Sequence, residues 1–539
     1  VTVPPRTAPT VPGVGGEPTW RYADIRTIPD IVRHWASRTP EKVALTCGTT
    51  ERSYRELDER SNSIANAILA TGAQPGSSIG FLGKNAIEFF EVWFGATKAG
   101  AAIAPLNWRC TAAELTQLVD DAQPPVMFVG VEFADTMREV QRLSGVGFEV
   151  VYFDRASPGN DQLSAWLESQ DTVDPRVPLT GELPALLAYT SGTTGLPKGV
   201  QLSHEAFQNA FLCLALEPAL TWRHDDTLLM VMPNFHLAGS WVSLPALYHG
   251  GSVVVLPFFE PSATLAAIEQ SRPTVTCLVP AAMQMLLDHP RAQTFDFSAL
   301  RSMIYAGSPI SAETLQRSVE LFGCEMNQFY GTTETWIITL LRPHQHDPAN
   351  PEVLTSCGKP MPFVEIKVVD PEGAELPTGD IGEFLVRSPV MFSGYRNKPD
   401  ATDQAFTDGW YRTGDLGRRD AEGYLYLIDR AKDMIITGGE NVYSVEVERA
   451  LAQHPAVTSV AVVGAPDQRW GEKVVAFATV QPDSGVSEKE LIGHCRGLIA
   501  GYKVPKVIHL ETTLPTTPSG KIQKAVLRKR LADPAGARP

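Results

Sequence analysis

The sequence predicts an α/β protein with a large N-terminal part and a smaller, hinged α+β C-terminal part, and three observations carry that reading. Short apolar runs alternate with helical patterns from Ile28 onward, brief alternating strands and tight turns fill about 363–428, and a second α+β pattern begins beyond Asp429. The length of 539 residues exceeds what one core supports. A prior of roughly 150 residues per domain gives three or four packed units.

Residues 1–27 read as a loose N-terminal arm. Positions 1–18 are rich in Pro, Gly and Thr and lack the basic start and apolar centre of a secretory signal. Over 28–107 the rhythm is α/β. Ser53-Tyr54-Arg55-Glu56 is a capping box, which satisfies free backbone donors at a helix start, and Leu57, Ile64, Ala65 and Ile68 then share one face. The runs 126–129, 150–153, 185–188, 227–232, 252–256 and 275–279 are strand-like, with helical segments between several of them, so parallel sheets with covering helices are expected. At 364–369, the turn Pro371-Glu372-Gly373 and 382–386 the pattern shortens to a small β unit. A domain boundary at Arg430 to Lys432 precedes a helix from Ser444, strands near Val460 and Val474, and a second capping box at Ser487 to Glu490.

Hydrophobic residues at 43% and charged residues at 20% describe an ordinary folded protein. A formal charge of -15 argues against a nucleic-acid partner, which demands a basic face. The cysteines at 47, 110, 213, 277, 324, 357 and 495 form no C-x-x-C pair, so neither a disulfide framework nor a zinc cluster is indicated and a reducing cytoplasm fits. No unbroken apolar run is long enough to span a bilayer, which leaves a soluble protein or at most one peripheral to a membrane. Nothing in the sequence fixes an oligomeric state.

Tyr189-Thr190-Ser191-Gly192-Thr193-Thr194-Gly195-Leu196-Pro197-Lys198-Gly199 has the composition of a phosphate loop between a strand and a helix. Glycines let backbone N–H groups approach an anion, hydroxyls add donors, and Lys198 adds positive charge. The Walker pattern is absent, which disfavours an ordinary P-loop NTPase. Further along stand Tyr330-Gly331-Thr332-Thr333-Glu334, Tyr411-Arg412-Thr413-Gly414-Asp415-Leu416, Asp429-Arg430-Ala431-Lys432-Asp433 and Pro518-Ser519-Gly520-Lys521. In this order the motifs closely resemble the adenylate-forming superfamily of acyl-CoA synthetases, peptide-synthetase adenylation domains and beetle luciferases, from about Ile28 to about Arg530.

The resemblance implies an AMP-binding N-terminal domain over 28–430, built from two α/β subdomains and the small β subdomain, and a mobile α+β domain over 431–539. It implies ATP and coenzyme A as co-substrates, Mg2+ as cofactor, and a carboxylic acid activated as its acyl adenylate. Glu334 would hold the metal with Thr190, and Thr333 would assist, since Mg2+ takes hard oxygen ligands. The loop from Thr190 to Lys198, including Ser191, Gly192, Thr193, Thr194 and Gly195, would hold phosphates. The turn Ala306-Gly307-Ser308-Pro309 and Asn327-Gln328-Phe329-Tyr330 would form the adenine pocket, and Gly331 and Thr332 would bind the same nucleotide. Asp415 would take the ribose diol, braced by Arg430, although an Asp in a Thr-Gly-Asp turn also caps its own backbone. Lys521 would stabilise the adenylation transition state, Lys432 would be the hinge, and Gly438, Gly439, Glu440 and Asn441 would face coenzyme A. His236, in Met232-Pro233-Asn234-Phe235-His236-Leu237-Ala238-Gly239, would orient the acid or gate its tunnel, or else serve as a core histidine. Trip wires of the same kind apply to Trp241, Val279 and Trp336, which are acyl-pocket walls on the family pattern and core residues by default.

Coenzyme A is expected as acceptor because no carrier domain follows the C-terminal lobe. The rivals are a ligase that loads a carrier protein, a luciferase-type oxygenase, and a non-catalytic acyl-binding protein. Fatty, aryl and sterol side-chain acids all fit, and a medium- or long-chain fatty acid is expected from family analogy and from the small residues Ala238 and Gly239. His204-Glu205 begins a zinc-protease motif but position 208 is Gln, so the second ligand is missing. His344-Gln345-His346-Asp347 reads as a solvated loop, and Lys524, Arg528, Lys529 and Arg530 read as an exposed helix face.

Overall fold

The computed structural model of the chain describes residues 22–154, 161–190, 197–308, 310–437, 440–467, 469–482, 484–516 and 522–532, and four sheets form among them. The first sheet runs in the order Gly394–Tyr395, Lys198–Ser203, Pro184–Thr190, Ala102–Leu106, Ser78–Leu82, Val126–Gly130 and Glu149–Phe153. The last five of these strands are mutually parallel, and the first two are added antiparallel. The second sheet runs Lys359–Pro360, Trp336–Leu341, Glu325–Thr332, Ser302–Ala306, Val275–Leu278, Thr227–Met230, Ser252–Val255, Val43–Cys47 and Thr50–Ser53. Its centre is parallel and antiparallel strands close both edges. Both sheets are therefore mixed, where the sequence suggested parallel ones.

Ser78–Leu82 and Val126–Gly130 are buried at every position, as continuous apolar strands are when both sheet faces are covered. The helix Ile87–Lys98 is buried all round and touches strands of both large sheets. A helix this largely apolar belongs inside a protein, and its Glu91 and Lys98 are paired. Lys98 Nζ donates to Asp58 Oδ1 at 2.6 Å, Ser61 Oγ at 2.8 Å and Asn62 Oδ1 at 2.6 Å. Glu91 Oε1 accepts from Arg52 and Arg60. The capping box at Ser53 opens the helix Tyr54–Ala70 with both reciprocal bonds.

The third sheet is the small antiparallel one, built from Glu365–Val369, Gly382–Arg387, Phe406–Thr407, Trp410–Arg419 and Leu425–Arg430. The β unit is not self-contained, however, because Gly394–Tyr395 leaves it to pair with Val200 and Gln201 in the first sheet. The smaller C-terminal domain has the fourth sheet, in which the long hairpin Val457–Asp467 and Gly471–Val480 is joined by Ile435–Thr437, Glu440–Val442 and a parallel Val507–Glu511. The helix Ser444–Ala452 starts where the sequence placed it.

Four expectations need correction. Residues 22–27 do not belong to a loose arm: Ile25 and Thr27 are buried, and the Tyr22 ring packs against His34, Trp35 and Tyr248. At Ser487 only half a capping box forms, since its hydroxyl accepts from Glu490 N but no reciprocal bond is made. His346 is not merely solvated, because Tyr305 Oη lies 2.9 Å from Nε2 and Arg342 O lies 2.9 Å from Nδ1. Lys524 and Arg528 are engaged rather than free, Lys524 with Glu448 and Ser444 and Arg528 with Asp433.

Candidate active site

In open α/β sheets ligands gather beyond the carboxyl ends of the strands, and most of the residues singled out in the sequence stand there. Thr190 ends Pro184–Thr190, Ala306 ends Ser302–Ala306, and Val279 follows Val275–Leu278. Parallel pairing of Leu278 with Tyr305 and of Ala306 with Phe329 puts Val279, Gly307 and Tyr330 on one sheet edge. The loop carrying His236 leaves the end of Thr227–Met230 on the same sheet.

Glu334 sits at the tip of a tight connection between Glu325–Thr332 and Trp336–Leu341. Thr332 N and Oγ1 both lie 3.1 Å from Thr335 Oγ1, and Trp336 takes a left-handed φ of 56°. Gly331 is dictated by this geometry, because a Cβ there would lie 1.5 Å from the Trp336 carbonyl oxygen. Tyr395 Oη donates to Glu334 Oε1 at 2.8 Å, and Phe392 N donates to the Glu334 carbonyl at 2.8 Å. Lys198 Nζ lies 4.5 Å from the centre of the Tyr395 ring, and Lys198 pairs with Thr190 across the strand junction. Tyr395 thus links the half-buried Glu334 carboxylate to Lys198. One hard carboxylate fits Mg2+, which is commonly held by one or two protein carboxylates and substrate phosphates.

A second cluster forms where the small sheet meets the second large one. Asp415 and Arg430 are cross-strand partners joined by an ion pair, and Tyr330 Oη donates to Asp415 Oδ2 at 2.7 Å. The Asp415 carboxylate is 5% exposed and turned toward Tyr330 and Arg430. Burial works against the charge on Arg430, but Asp415 first, with Tyr330, Tyr411 and Glu334 behind it, outweighs that and holds its pKa above the ordinary value. Burial first, and the Glu334 carboxylate after it, raise the pKa of the neighbouring Tyr411 hydroxyl and keep it protonated.

His236 lies in a loop pinned by two buried asparagines. Asn85 Nδ2 donates to Met232 O and Leu256 O, Asn234 N donates to Asn85 Oδ1 at 2.8 Å, and Asn234 Nδ2 donates to Gly83 O. Gly239 is small because the turn requires it: a Cβ would lie 2.2 Å from Pro233 O. Burial first, and the positive Arg109 second, push the His236 pKa down to about 4, so its ring is neutral near pH 7. Its Nε2 is buried without a hydrogen-bond partner among the described residues, as are Trp241 Nε1 and Gln328 Oε1.

Trp241 and Trp336 are brought together as stacked rings with centroids 4.8 Å apart. Val279 is not with them; it packs beside Gly307, where a Cβ would lie 3.5 Å from Val279 Cγ1. Glu440 and Asn441 are exposed on their short strand, and Lys432 is exposed in the turn where Asp433 N and Met434 N donate to Arg430 O. Ser191, Gly192, Thr193, Thr194, Gly195, Gly438, Gly439 and Lys521 lie outside the described residues. Sequence reasoning missed Tyr395 and Asn85. A Gly-Tyr pair inside the turn-rich 388–399 stretch was the available signal for the first, and a lone Asn gave none for the second.

Residues 32–396 match the AMP-binding enzyme family and residues 446–521 the AMP-binding enzyme C-terminal domain. The chain is 38% identical to an indoleacetate–CoA ligase of Aromatoleum aromaticum, with 93% of this chain and 97% of that protein covered. It is 36% identical to the fatty acid–[acyl-carrier-protein] ligase ScoC of Streptomyces coeruleorubidus, covering 94% and 97%. The ATP-bound crystal structure of MatB from Rhodopseudomonas palustris superposes with a TM-score of 0.84 at 30% identity, covering 94% of this chain and 99% of that one. The matched domains, the relatives and the shared fold together make this chain a member of the adenylate-forming superfamily, in its acyl-CoA synthetase branch of acid–thiol ligases.

Proposed function

We propose that the protein joins a carboxylic acid to coenzyme A in two steps. The acid carboxylate attacks the α-phosphate of ATP, forming an acyl adenylate and releasing pyrophosphate; the thiol of coenzyme A then attacks the acyl carbon and releases AMP. The observation that carries this reading is the pair of carboxylate clusters, Glu334 with Tyr395 and Lys198, and Asp415 with Tyr330 and Arg430, which the short run from Tyr330 to Glu334 joins.

In this reading Thr190, Lys198 and the loop between them hold the phosphates, Asp415 binds the ribose diol, and Ala306 to Ser308 with Gln328 to Thr332 enclose the adenine. Glu334 and Thr190, with Thr333 beside them, would hold Mg2+, which neutralises phosphate charge when bound. Neutral His236 orients the acid with its unpartnered Nε2, acting as a donor in one tautomer. Positioning and charge stabilisation are what such a displacement requires. Lys521 serves the first step. Rotation about Lys432 then brings the face at Gly438 to Asn441 forward for the second.

The medium- or long-chain fatty acid expected from the sequence rested partly on Gly239, whose size the turn at Pro233 already accounts for. Coenzyme A has a rival acceptor in a carrier protein, since ScoC is named for that reaction. Pyrophosphate release across an acid panel, with coenzyme A or a phosphopantetheinylated carrier protein and mass detection of the thioester, decides between them. Pyrophosphate release with no acid in the panel would sink the adenylation reading.

A further inference from the structure

Phe207, Trp241 and Trp336 form a continuous ring stack, with centroids 4.1 Å apart for the first pair and 4.8 Å for the second. The second pair is inclined by only 13°. Phe207 and Trp241 are completely buried and Trp336 nearly so. The Trp241 Nε1–H is buried and has no hydrogen-bond acceptor among the described residues.

The stack is fastened to both halves of the candidate site. Trp241 stands in the first turn of the helix Ser240–Tyr248, where its N donates to Leu237 O, directly after the loop that carries His236. Trp336 stands two positions beyond Glu334 and is locked by the close approach of its carbonyl to Gly331. The ring wall therefore lies between the segments that present His236 and Glu334. His236 Nε2 is also unpartnered, so two buried polar edges hang from one short stretch of chain.

We propose that the acid is a compact aromatic one, bearing an oxygen or nitrogen acceptor that receives the Trp241 Nε1–H. This rests on the adenylation reading above and narrows its substrate. An extended alkyl chain would leave the indole N–H unpaired. A flat ring is matched by aromatic walls, whose edges and faces attract other rings. Native folds pair nearly all their buried donors, and a site built to hydrogen-bond a substrate rejects the analogue that lacks the group far more strongly than one missing a methylene.

The test compares isosteric acids that differ in the acceptor alone, with ortho-, meta- and para-methoxycinnamate set against the matching ethylcinnamates and with decanoate and palmitate as the aliphatic arm. Pyrophosphate release is measured for wild type, for Trp241→Phe, which keeps a ring in the stack and deletes the N–H, and for Trp336→Phe, which alters the same stack and leaves that N–H in place. Wild type should favour at least one methoxy acid over its ethyl partner by about ten- to a hundredfold in kcat/KM, the effect of one buried donor left unpaired. Trp241→Phe should bring the two acids of that pair together, while Trp336→Phe should keep the preference ratio. The proposal is overturned if no pair is discriminated, if Trp241→Phe retains the preference, or if decanoate or palmitate outruns every aryl acid. Absence of pyrophosphate release with all acids would overturn adenylation itself, a distinguishable failure.

Discussion

Asp415 holds two neighbours at once, Tyr330 from the large sheet and Arg430 from the adjacent strand, so its carboxylate is oriented before any nucleotide arrives. If it takes the ribose diol, Asp415→Ala should raise the KM for ATP in pyrophosphate release by roughly ten- to a hundredfold, the equivalent of about 1.5–3 kcal/mol for a hydrogen bond to a charged group. Wild type should discriminate against 2′,3′-dideoxy-ATP and the variant should not; equal discrimination by both would reject the diol assignment. Asp415 and Glu334 were legible in the sequence because they stand inside compact motifs. Tyr395 was not, because its bond to Glu334 spans 61 residues and follows from a strand addition that no local pattern announces. Trp241 and Trp336 were legible as a pair of aromatic residues, but not as a stack with one orphaned edge.

The connection from Tyr330 to Trp336 shows how little freedom the turn carrying Glu334 has. A register shift falls between Tyr330 and Gly331, the Trp336 φ is positive, and two threonines bridge the base. Gly331→Ala would drive a methyl group into a backbone oxygen that cannot swing away. Stability should fall by about 1–3 kcal/mol, the usual cost of overpacking, and adenylation should fall further than the lower melting temperature accounts for. Unchanged kcat/KM in a variant of normal stability would contradict this. The central strands were readable from their apolar runs because burial on both faces leaves no other residue type tolerable. The antiparallel additions at the edges were not, since Gly394–Tyr395 and Lys359–Pro360 are too short to carry a period.

Across the whole molecule, the turn after Arg430 separates the last strand of the small sheet from the first strand of the C-terminal domain. If rotation there exchanges the two half-reactions, Lys432→Pro, which fixes φ near roughly -65°, should spare pyrophosphate release and slow thioester formation; equal loss of both would indicate misfolding instead. Acid should weaken the fold through His204, His236 and His249, each of which burial pushes down from 6.5 to about 4. The unfolded chain protonates these rings near pH 6.5 and the folded one only near 4, so their stabilisation is complete above 6.5 and is lost as pH falls toward 4. Glu88, raised by its burial and by Glu91, and Glu448, raised by its burial, oppose them, while His346, lowered by its burial, acts with them. Melting temperature should therefore drop between pH 6.5 and 4, and His249→Gln should flatten the slope; a flat profile for wild type would refute the argument. The helix Ile87–Lys98 has a last consequence, because it is the shared filling of both large sheets. Neither sheet can lose it and keep its own interior, so the two cannot melt independently. In a scanning calorimeter the three or four units suggested by chain length should collapse to two endotherms, a large one for everything bound to that helix and a small one for the C-terminal domain with its separate core. Three resolved peaks would show that the helix does not weld the sheets into one cooperative body.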